Sequence, residues 1–369
     1  MKIIIIGALP KSLTNFRKEL IVSLAKHNEI TALATNATRA EINIIEELGA
    51  NYLNYSVQRN GLNPIKDIKT YLKLKKIFIQ EKPDLVVAYT IKPIIWGGLA
   101  ARFSGVNNFY ALVTGLGFAF QKGSFIKNIL MKTVKVLYRS SLKNAKGVIF
   151  QNKDNMQVFI DNKLIDSERC SLVNGSGVDL SLFSKSKLSN EYSFLLIARL
   201  LGDKGIREYV KAAGIVKDKF PNAIFNLVGP EDPSPDGISL NEVTSWHDEG
   251  IINYHGGTDD VRPYIEKSNI FVLPSYHEGM PRTVLEAMAM GRPILTTNVP
   301  GCKETVVNGE NGWLVEKANV EQLAERMIWF IENQGEWQRM GDKSHVIAIE
   351  KFDVHKVNQE LLKIMGLDK

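Results

Sequence analysis

Short apolar runs alternate with amphipathic stretches along the chain, and this alternation predicts repeated strand–helix units. In the first half the runs fall at 2–7, 29–34, 50–54, 84–88, 108–113, 146–151 and 169–174. Segments such as IIII and LVVAY are apolar without a break, as expected of parallel strands covered on both faces. Helical periodicity lies between them, for example at 13–27, 63–81 and 124–143. A second series follows, with strands expected at 192–198, 223–229, 250–255, 269–273, 293–297 and 312–315. Its helices are expected at 204–219, 261–267, 281–290, 319–333 and 336–350, with a last amphipathic helix at 353–365. The class is α/β with mostly parallel sheets.

A chain of 369 residues exceeds one ordinary hydrophobic core. The strand-poor stretch 175–190 therefore reads as a linker between domains at 1–174 and 191–352, with the final helix, 353–369, joining the first. Two such halves make a cleft, and ligands of such sheets bind at the carboxyl ends of strands. An apolar fraction of 44% with 23% charged residues excludes a disordered or fibrous chain. Cys170 and Cys302 cannot form a disulfide framework and fit a reducing compartment. The longest uncharged stretch, 103–121, is broken by Asn107, Asn108 and glycines, so no membrane span is expected. Met1–Pro10 reads as a buried first strand rather than a signal peptide.

The net charge of +6 conceals a division. Residues 1–180 carry 25 Lys and Arg against 13 Asp and Glu, and residues 181–369 carry 21 against 27. No acid occurs between Asp84 and Asp154. A basic half joined to an acidic half implies a divided task, the basic half meeting an anionic partner. Nucleic-acid binding is disfavoured by the acidic half and by the lack of a known module.

The sharpest chemical signal is PSYHEGMPRTVLEAMAMGRPI, residues 274–294. A strand runs into a turn that opens a helix, with Pro281 suited to the first helical turn. Backbone amides from Gly279 to Thr283 and the helix dipole favour a phosphate, the dipole by roughly 0.3–2 kcal/mol. Glu278 lies at the turn and Glu286 one turn into the helix, within reach of a sugar hydroxyl. Arg199 and Lys204 follow the 192–198 strand. Arg forks two oxygens and Lys supplies a point charge, so together they stabilise a leaving diphosphate.

In this order and spacing, LLIARLLGDKG (195–205), NLVGP (226–230), the block 254–294 and NVPGCKETVVNGENGWLV (298–315) resemble the retaining glycosyltransferases of family 4. The resemblance implies the GT-B fold, two Rossmann-like doubly wound domains facing across a cleft. It implies that Arg199 and Lys204 bind the donor diphosphate and that Glu286 binds the ribose. Glu278 would meet the donor sugar hydroxyls, and with Arg199 and Lys204 it makes the catalytic set as a positioning and charge-stabilising group. Gly279, Met280, Arg282 and Thr283 would face the phosphates and sugar, and His255 and Gly256 the nucleobase. No D-x-D triplet occurs, and the histidines and cysteines are scattered. No metal site and no cofactor are expected, the Arg/Lys pair and helix amides doing a metal's electrostatic work.

The first half is expected to bind the acceptor. Ser12, Thr14 and Arg17 follow the first strand, where Ser or Thr caps a helix. Thr114, Gly115 and Gly117 follow the 108–113 strand, in a segment similar to one at the cleft of enzymes that build lipid-linked oligosaccharides. Over 124–146, Lys132, Lys135, Arg139, Lys143 and Lys146 fall within an arc of about 80° at 100° per residue. Ile126, Ile129, Leu130, Thr133 and Leu137 occupy another face. Such a helix fits an anionic membrane surface, each cation contributing about 1 kcal/mol. Lys66, Lys69, Lys73, Lys75 and Lys76 extend the patch, and Phe118 and Phe120 are candidate anchors.

The resemblance extends to bacterial N-acetylgalactosaminyltransferases of O-antigen and other glycan assembly. It implies a metal-independent, retaining enzyme, peripheral on the cytoplasmic face of the inner membrane. Such an enzyme moves an N-acetylhexosamine from a UDP-sugar to a polyprenyl-diphosphate-linked saccharide. A UDP-sugar 2-epimerase also uses two α/β domains, but needs no lipid acceptor. A membrane-associated interaction protein with a vestigial nucleotide site would not need Arg199, Lys204, Glu278 and Glu286 together.

Overall fold

The computed structural model describes residues 1–58, 63–116, 120 and 125–368, with the side chains of 125–127 excepted. The chain forms two compact units, Met1–Ser176 with Val357–Lys369, and Gly177–Lys356.

The first unit holds seven strands, β1 (Lys2–Ile6), β2 (Glu29–Ala34), β3 (Ala50–Asn54), β4 (Leu85–Tyr89), β5 (Phe109–Val113), β6 (Gly147–Phe150) and β7 (Cys170–Leu172). They pair in parallel in the order β3-β2-β1-β4-β5-β6-β7. The isoleucine run of β1 explains the layering. Ile4 and Ile6 point into one core, with Leu74 and Phe78 of the Pro64–Glu81 helix, Ile94 of Ile91–Phe103 and Tyr138 of Phe125–Leu142. Ile3 and Ile5 point into the other, with Leu20 and Leu24 of Lys18–Ala25 and with Val357, Leu361 and Met365 of the final helix, Val354–Met365. A period of two thus divides one strand between two helical layers.

The second unit holds β8 (Ser193–Ile197), β9 (Ile224–Val228), β10 (Asn253–Tyr254), β11 (Ile270–Leu273), β12 (Ile294–Thr297) and β13 (Gly312–Val315). They too are parallel, in the order β10-β9-β8-β11-β12-β13. Phe194 and Leu196 face one core, Leu195 and Ile197 the other. Each sheet reverses its strand order beside its first strand, which makes the carboxyl ends of β1 and β4, and of β8 and β11, the ligand-facing positions of a doubly wound fold. Within this unit Val178 pairs with Asp353, Phe183 is buried, and the buried Arg292 donates to the Ser186 and Ile265 carbonyls.

Three expectations need correction. The helix expected at 13–27 is two helices, Pro10–Phe16 and Lys18–Ala25, broken at Arg17 (φ −125°, ψ 5°), whose side chain turns inward. Pro10 starts the first helix three residues early. Leu9 then occupies the cap position without a side-chain bond. Ser12 and Thr14 lie inside the helix, their hydroxyls bonding back to the Leu9 and Lys11 carbonyls, so neither is a cap. The basic helix ends at the buried Leu142, and Lys143 and Lys146 lie beyond it in the turn to β6. Only Lys132, Lys135 and Arg139 share its faces, so the arc of five cations does not form. Ile129, expected on its apolar face, is exposed.

Candidate active site

The turn after β8 is held by its neighbours. Gly229, after β9, sits so close that a Cβ there would lie 1.7 Å from the Ala198 carbonyl oxygen. Gly205 adopts φ +71°, and a Cβ there would lie 2.1 Å from the Pro274 oxygen, so both close approach and backbone conformation call for glycine. The 230–238 loop holds the turn along its length. Leu200 N–H donates to the Pro230 oxygen and Ile238 N–H to the Leu200 oxygen, each at 2.9 Å. Gly202 N–H donates to the Asp236 oxygen at 2.9 Å, and Asp203 N–H to Asp236 Oδ2 at 2.8 Å. The Arg199 guanidinium donates to the Asp232 carboxylate. Burial would raise the Asp232 pKa, but hydrogen bonds from Ser234 and the charge of Arg199 hold it below the ordinary value.

Beyond β11, Lys204 Nζ donates to Glu278 Oε1 at 2.6 Å, and Ser275 Oγ donates to the same oxygen at 2.9 Å. Both members of this ion pair are largely buried. Burial alone would lower the Lys204 pKa; the Glu278 carboxylate reverses the effect, and the pKa stands above its ordinary value. Tyr276 N–H donates to the Asp203 oxygen at 2.8 Å, tying the two turns together. Gly301 backs the Glu278 peptide, where a Cβ would lie 2.6 Å from the Glu278 oxygen.

Glu286 lies in the Arg282–Ala289 helix, and Pro281 occupies its cap rather than its first turn. Arg282 Nε donates to Glu286 Oε1 at 2.8 Å. Burial raises the Glu286 pKa, and Arg282 only partly opposes it. Gly279, Met280, Arg282 and Thr283 belong to the turn and first residues of this helix. His255 follows β10; its Nε2 lies 2.9 Å from Asn226 Oδ1, and burial, with His247 and Lys267, lowers its pKa. Gly256 accepts from Gly229 N–H at 2.8 Å. The donor-side candidates singled out in the sequence therefore follow β8, β10 and β11, in the loops and the Arg282–Ala289 helix at the carboxyl end of one sheet.

In the first unit, Ser12 Oγ and the Tyr89 hydroxyl share a 2.8 Å hydrogen bond. The buried Arg17 guanidinium lies 5.2 Å from the Tyr89 ring centroid. Burial pushes the Tyr89 pKa up to about 12, against the Ser12 bond and the Arg17 charge. Tyr55 OH donates to the Gly7 oxygen at 2.7 Å. Ser12 and Arg17 thus meet at the ends of β1 and β4. The Thr14 hydroxyl instead turns to the Lys11 carbonyl and Asn15 Oδ1, and Thr114 and Gly115 follow β5. Gly117 and Phe118 lie outside the described residues. On the basic helix Lys132 is exposed and Lys135 half-buried, while Arg139 donates to the Lys163 and Asn162 carbonyls at 3.0 and 2.9 Å.

Two family models match the chain: "Glycosyl transferase 4-like" over residues 5–152 and "Glycosyl transferases group 1" over residues 179–345. The chain belongs to the family 4 glycosyltransferases. It is 29% identical over 334 residues to N,N'-diacetylbacillosaminyl-diphospho-undecaprenol alpha-1,3-N-acetylgalactosaminyltransferase of Campylobacter jejuni, covering 87% of this chain and 86% of that protein. It is 27% identical over 316 residues to UDP-Gal:alpha-D-GlcNAc-diphosphoundecaprenol alpha-1,3-galactosyltransferase of Escherichia coli, covering 78% and 79%. The fold matches HepE of Anabaena, solved in complex with UDP, with a TM-score of 0.79, 17% identity, and coverage of 99% and 100%. The fold of this glycosyltransferase is GT-B.

Several residues that shape this glycosyltransferase's site were not singled out in the sequence. Asp232 and Asp236 sit in PEDPSPDGI, whose acids read as a solvated loop because no periodicity marks their inward direction. Asp203 and Ser275 are likewise silent. The Arg282–Glu286 pair was legible in principle, since an i,i+4 spacing brings the two side chains together on a helix. Among the described residues no cluster of His, Cys, Asp and Glu has the arrangement to hold a metal ion, and no helix is long and apolar enough to cross a membrane.

Proposed function

We propose that this glycosyltransferase transfers an N-acetylhexosamine, N-acetylgalactosamine by preference, from a UDP-sugar to a polyprenyl-diphosphate-linked saccharide in bacterial surface-glycan assembly. The observation that carries the reading is the Lys204–Glu278 contact beside the Arg199 turn, at the strand-order reversal of the second sheet. The names of the Campylobacter jejuni and Escherichia coli relatives support the choice of donor and acceptor classes.

In this reading Arg199 and Lys204 hold the donor diphosphate. Lys204 has three N–H donors, so one can remain on Glu278 while another meets a phosphate oxygen. Glu278 orients the sugar hydroxyls, Glu286 receives the ribose, and the amides around Gly279 and Thr283 face the phosphates. The bond from the anomeric carbon to the β-phosphate oxygen breaks as the acceptor oxygen attacks from the same face. The acceptor's proton passes to a β-phosphate oxygen, UDP departs, and configuration is retained. Negative charge grows on the leaving diphosphate, where two fixed cations stabilise it more than they stabilise the bound donor. The reaction requires no metal or cofactor. Ser12 and Arg17 serve the acceptor in the first unit, and the enzyme works peripherally at the cytoplasmic face of the inner membrane.

Incubation of UDP- and GDP-sugars with lipid-linked acceptors, followed by NMR of the product, tests donor, acceptor and stereochemistry together. An α-linked product from a UDP-N-acetylhexosamine without added metal is expected. An inverted linkage, a strict metal requirement, or a mass-neutral change of the UDP-sugar without acceptor would overturn the corresponding part.

A further inference from the structure

The Pro64–Glu81 helix is apolar on two sides. Its inner side buries Thr70, Leu74, Ile77 and Phe78. Yet Ile65, Ile68, Leu72 and Ile79 are 67%, 53%, 55% and 54% exposed. At 100° per residue these four fall within an arc of about 60°. Lys76, Lys69, Lys73 and Lys66 occupy the next arc of about 80°, and Lys75 borders the opposite edge. Neither the apolar stripe nor the lysine arc beside it carries an acid. Asp67 points inward to Lys92 Nζ at 2.7 Å, and Glu81 lies on the far side, 4.0 Å from Lys2.

The helix has neighbours that continue the pattern. Ser104 Oγ lies 3.5 Å from the Lys75 carbonyl, and Phe103 beside it is 55% exposed. The Arg102 guanidinium sits 5.2 Å from the Phe103 ring centroid and donates to the Ser140 carbonyl of the Phe125–Leu142 helix. That helix exposes Ile129 and Val136 with Lys132. The layer thus holds seven of the seventeen exposed large hydrophobics among the described residues.

We propose that the outer face of the Pro64–Glu81 helix, with Phe103 beside it, docks on an anionic lipid bilayer. Its Ile–Leu stripe enters the acyl boundary, and its lysines meet lipid phosphates. This deepens the functional reading above by naming the element that carries the membrane contact. Charge selects the occupant. A stripe bordered by lysines and free of acids complements a negatively charged leaflet. A second copy of the chain would set one lysine row against another with no acid on either surface to receive it.

Sedimentation with vesicles of phosphatidylglycerol and phosphatidylethanolamine, compared with neutral phosphatidylcholine vesicles, tests the proposal on the full chain. The unaltered protein is expected to bind the anionic vesicles preferentially. Ile68→Ser with Leu72→Ser should weaken that binding about tenfold or more. Lys69→Glu with Lys73→Glu should weaken it by at least as much and remove the preference for phosphatidylglycerol. All four side chains are exposed, so thermal melting should be unchanged, and each pair decides if the other is misfolded. Unaltered vesicle binding by either well-folded pair overturns the proposal. So does a dimer in sedimentation velocity that Ile68→Ser with Leu72→Ser dissociates. Transfer to a short-chain soluble acceptor separates the two readings. Normal transfer with unchanged vesicle binding in the variants removes only the docking face. Variant-sensitive vesicle binding without transfer to any lipid-linked acceptor removes only the proposed function.

Discussion

The two sheets present loops at equivalent topological positions, yet those loops carry opposite chemistry. At the ends of β8 and β11 stand Arg199, Lys204 and Glu278, with Asp232 and Asp236 holding the turn from behind. At the ends of β1 and β4 stand a serine, two tyrosines and one buried arginine lying over an aromatic ring. The fold supplies the position, and the loop residues supply the task. In the proposed reading, the charged arrangement meets the donor diphosphate and the hydroxyl and aromatic arrangement the acceptor.

The largest effect that would break this division is expected at Lys204. Lys204→Ala should lower kcat about 100- to 1,000-fold, the scale of losing one preorganised donor to developing charge. Acceptor KM should change little, as steady-state kinetics on both substrates would show; unchanged kcat would remove the diphosphate role. Next comes Asp232→Asn, which should raise donor KM about tenfold, the scale of one charge-assisted hydrogen bond, by loosening Arg199. Ser12→Ala should raise acceptor KM about threefold, the scale of one neutral hydrogen bond, with donor KM unchanged. An effect on donor KM instead would erase the contrast between the units.

Protonation sharpens the same comparison by smaller amounts. Glu286 is held above the ordinary value of 4.5 by burial, so between 4.5 and its folded pKa the native state binds more protons than the unfolded state. Its contribution makes stability fall as pH rises through that window. Glu286→Gln should flatten this dependence in thermal melts, while raising donor KM. Lys204 is shifted upward, so its stabilising pairing is fully present below its ordinary 10.5 and is lost as pH rises through the folded pKa. Lys204→Met should remove that alkaline limb.

Much of the fold was legible because strands buried on both faces leave unbroken apolar runs. Most observed strands lie within one or two residues of the expected runs; β10 is only Asn253–Tyr254 where 250–255 was expected. What periodicity cannot supply is the direction of a loop side chain or the place where a regular pattern stops. The wheel that gathered five cations on one helix ran past Leu142, where the helix ends and the chain turns into β6. Arg17 was expected within one helix; it separates two, and its guanidinium lies over Tyr89's ring. The Leu240–Asp248 helix, capped by Ser239, went unnoticed because its apolar face is short. Arg199, Lys204, Glu278 and Glu286 were singled out from spacing and resemblance, and the structure places them after β8 and β11. Asp232 was not, since only the folded loop reveals which cation it holds.

The last helix has a bearing on biogenesis. Val357, Leu361 and Met365 share a hydrophobic core with Ile3 and Ile5 of β1, although the whole of the second unit is synthesised between them. On the ribosome, the amino-terminal sheet must wait with one flank uncovered until these residues emerge. The later-translated unit has its own strands and helices in one continuous segment, so it is free to reach its native packing first.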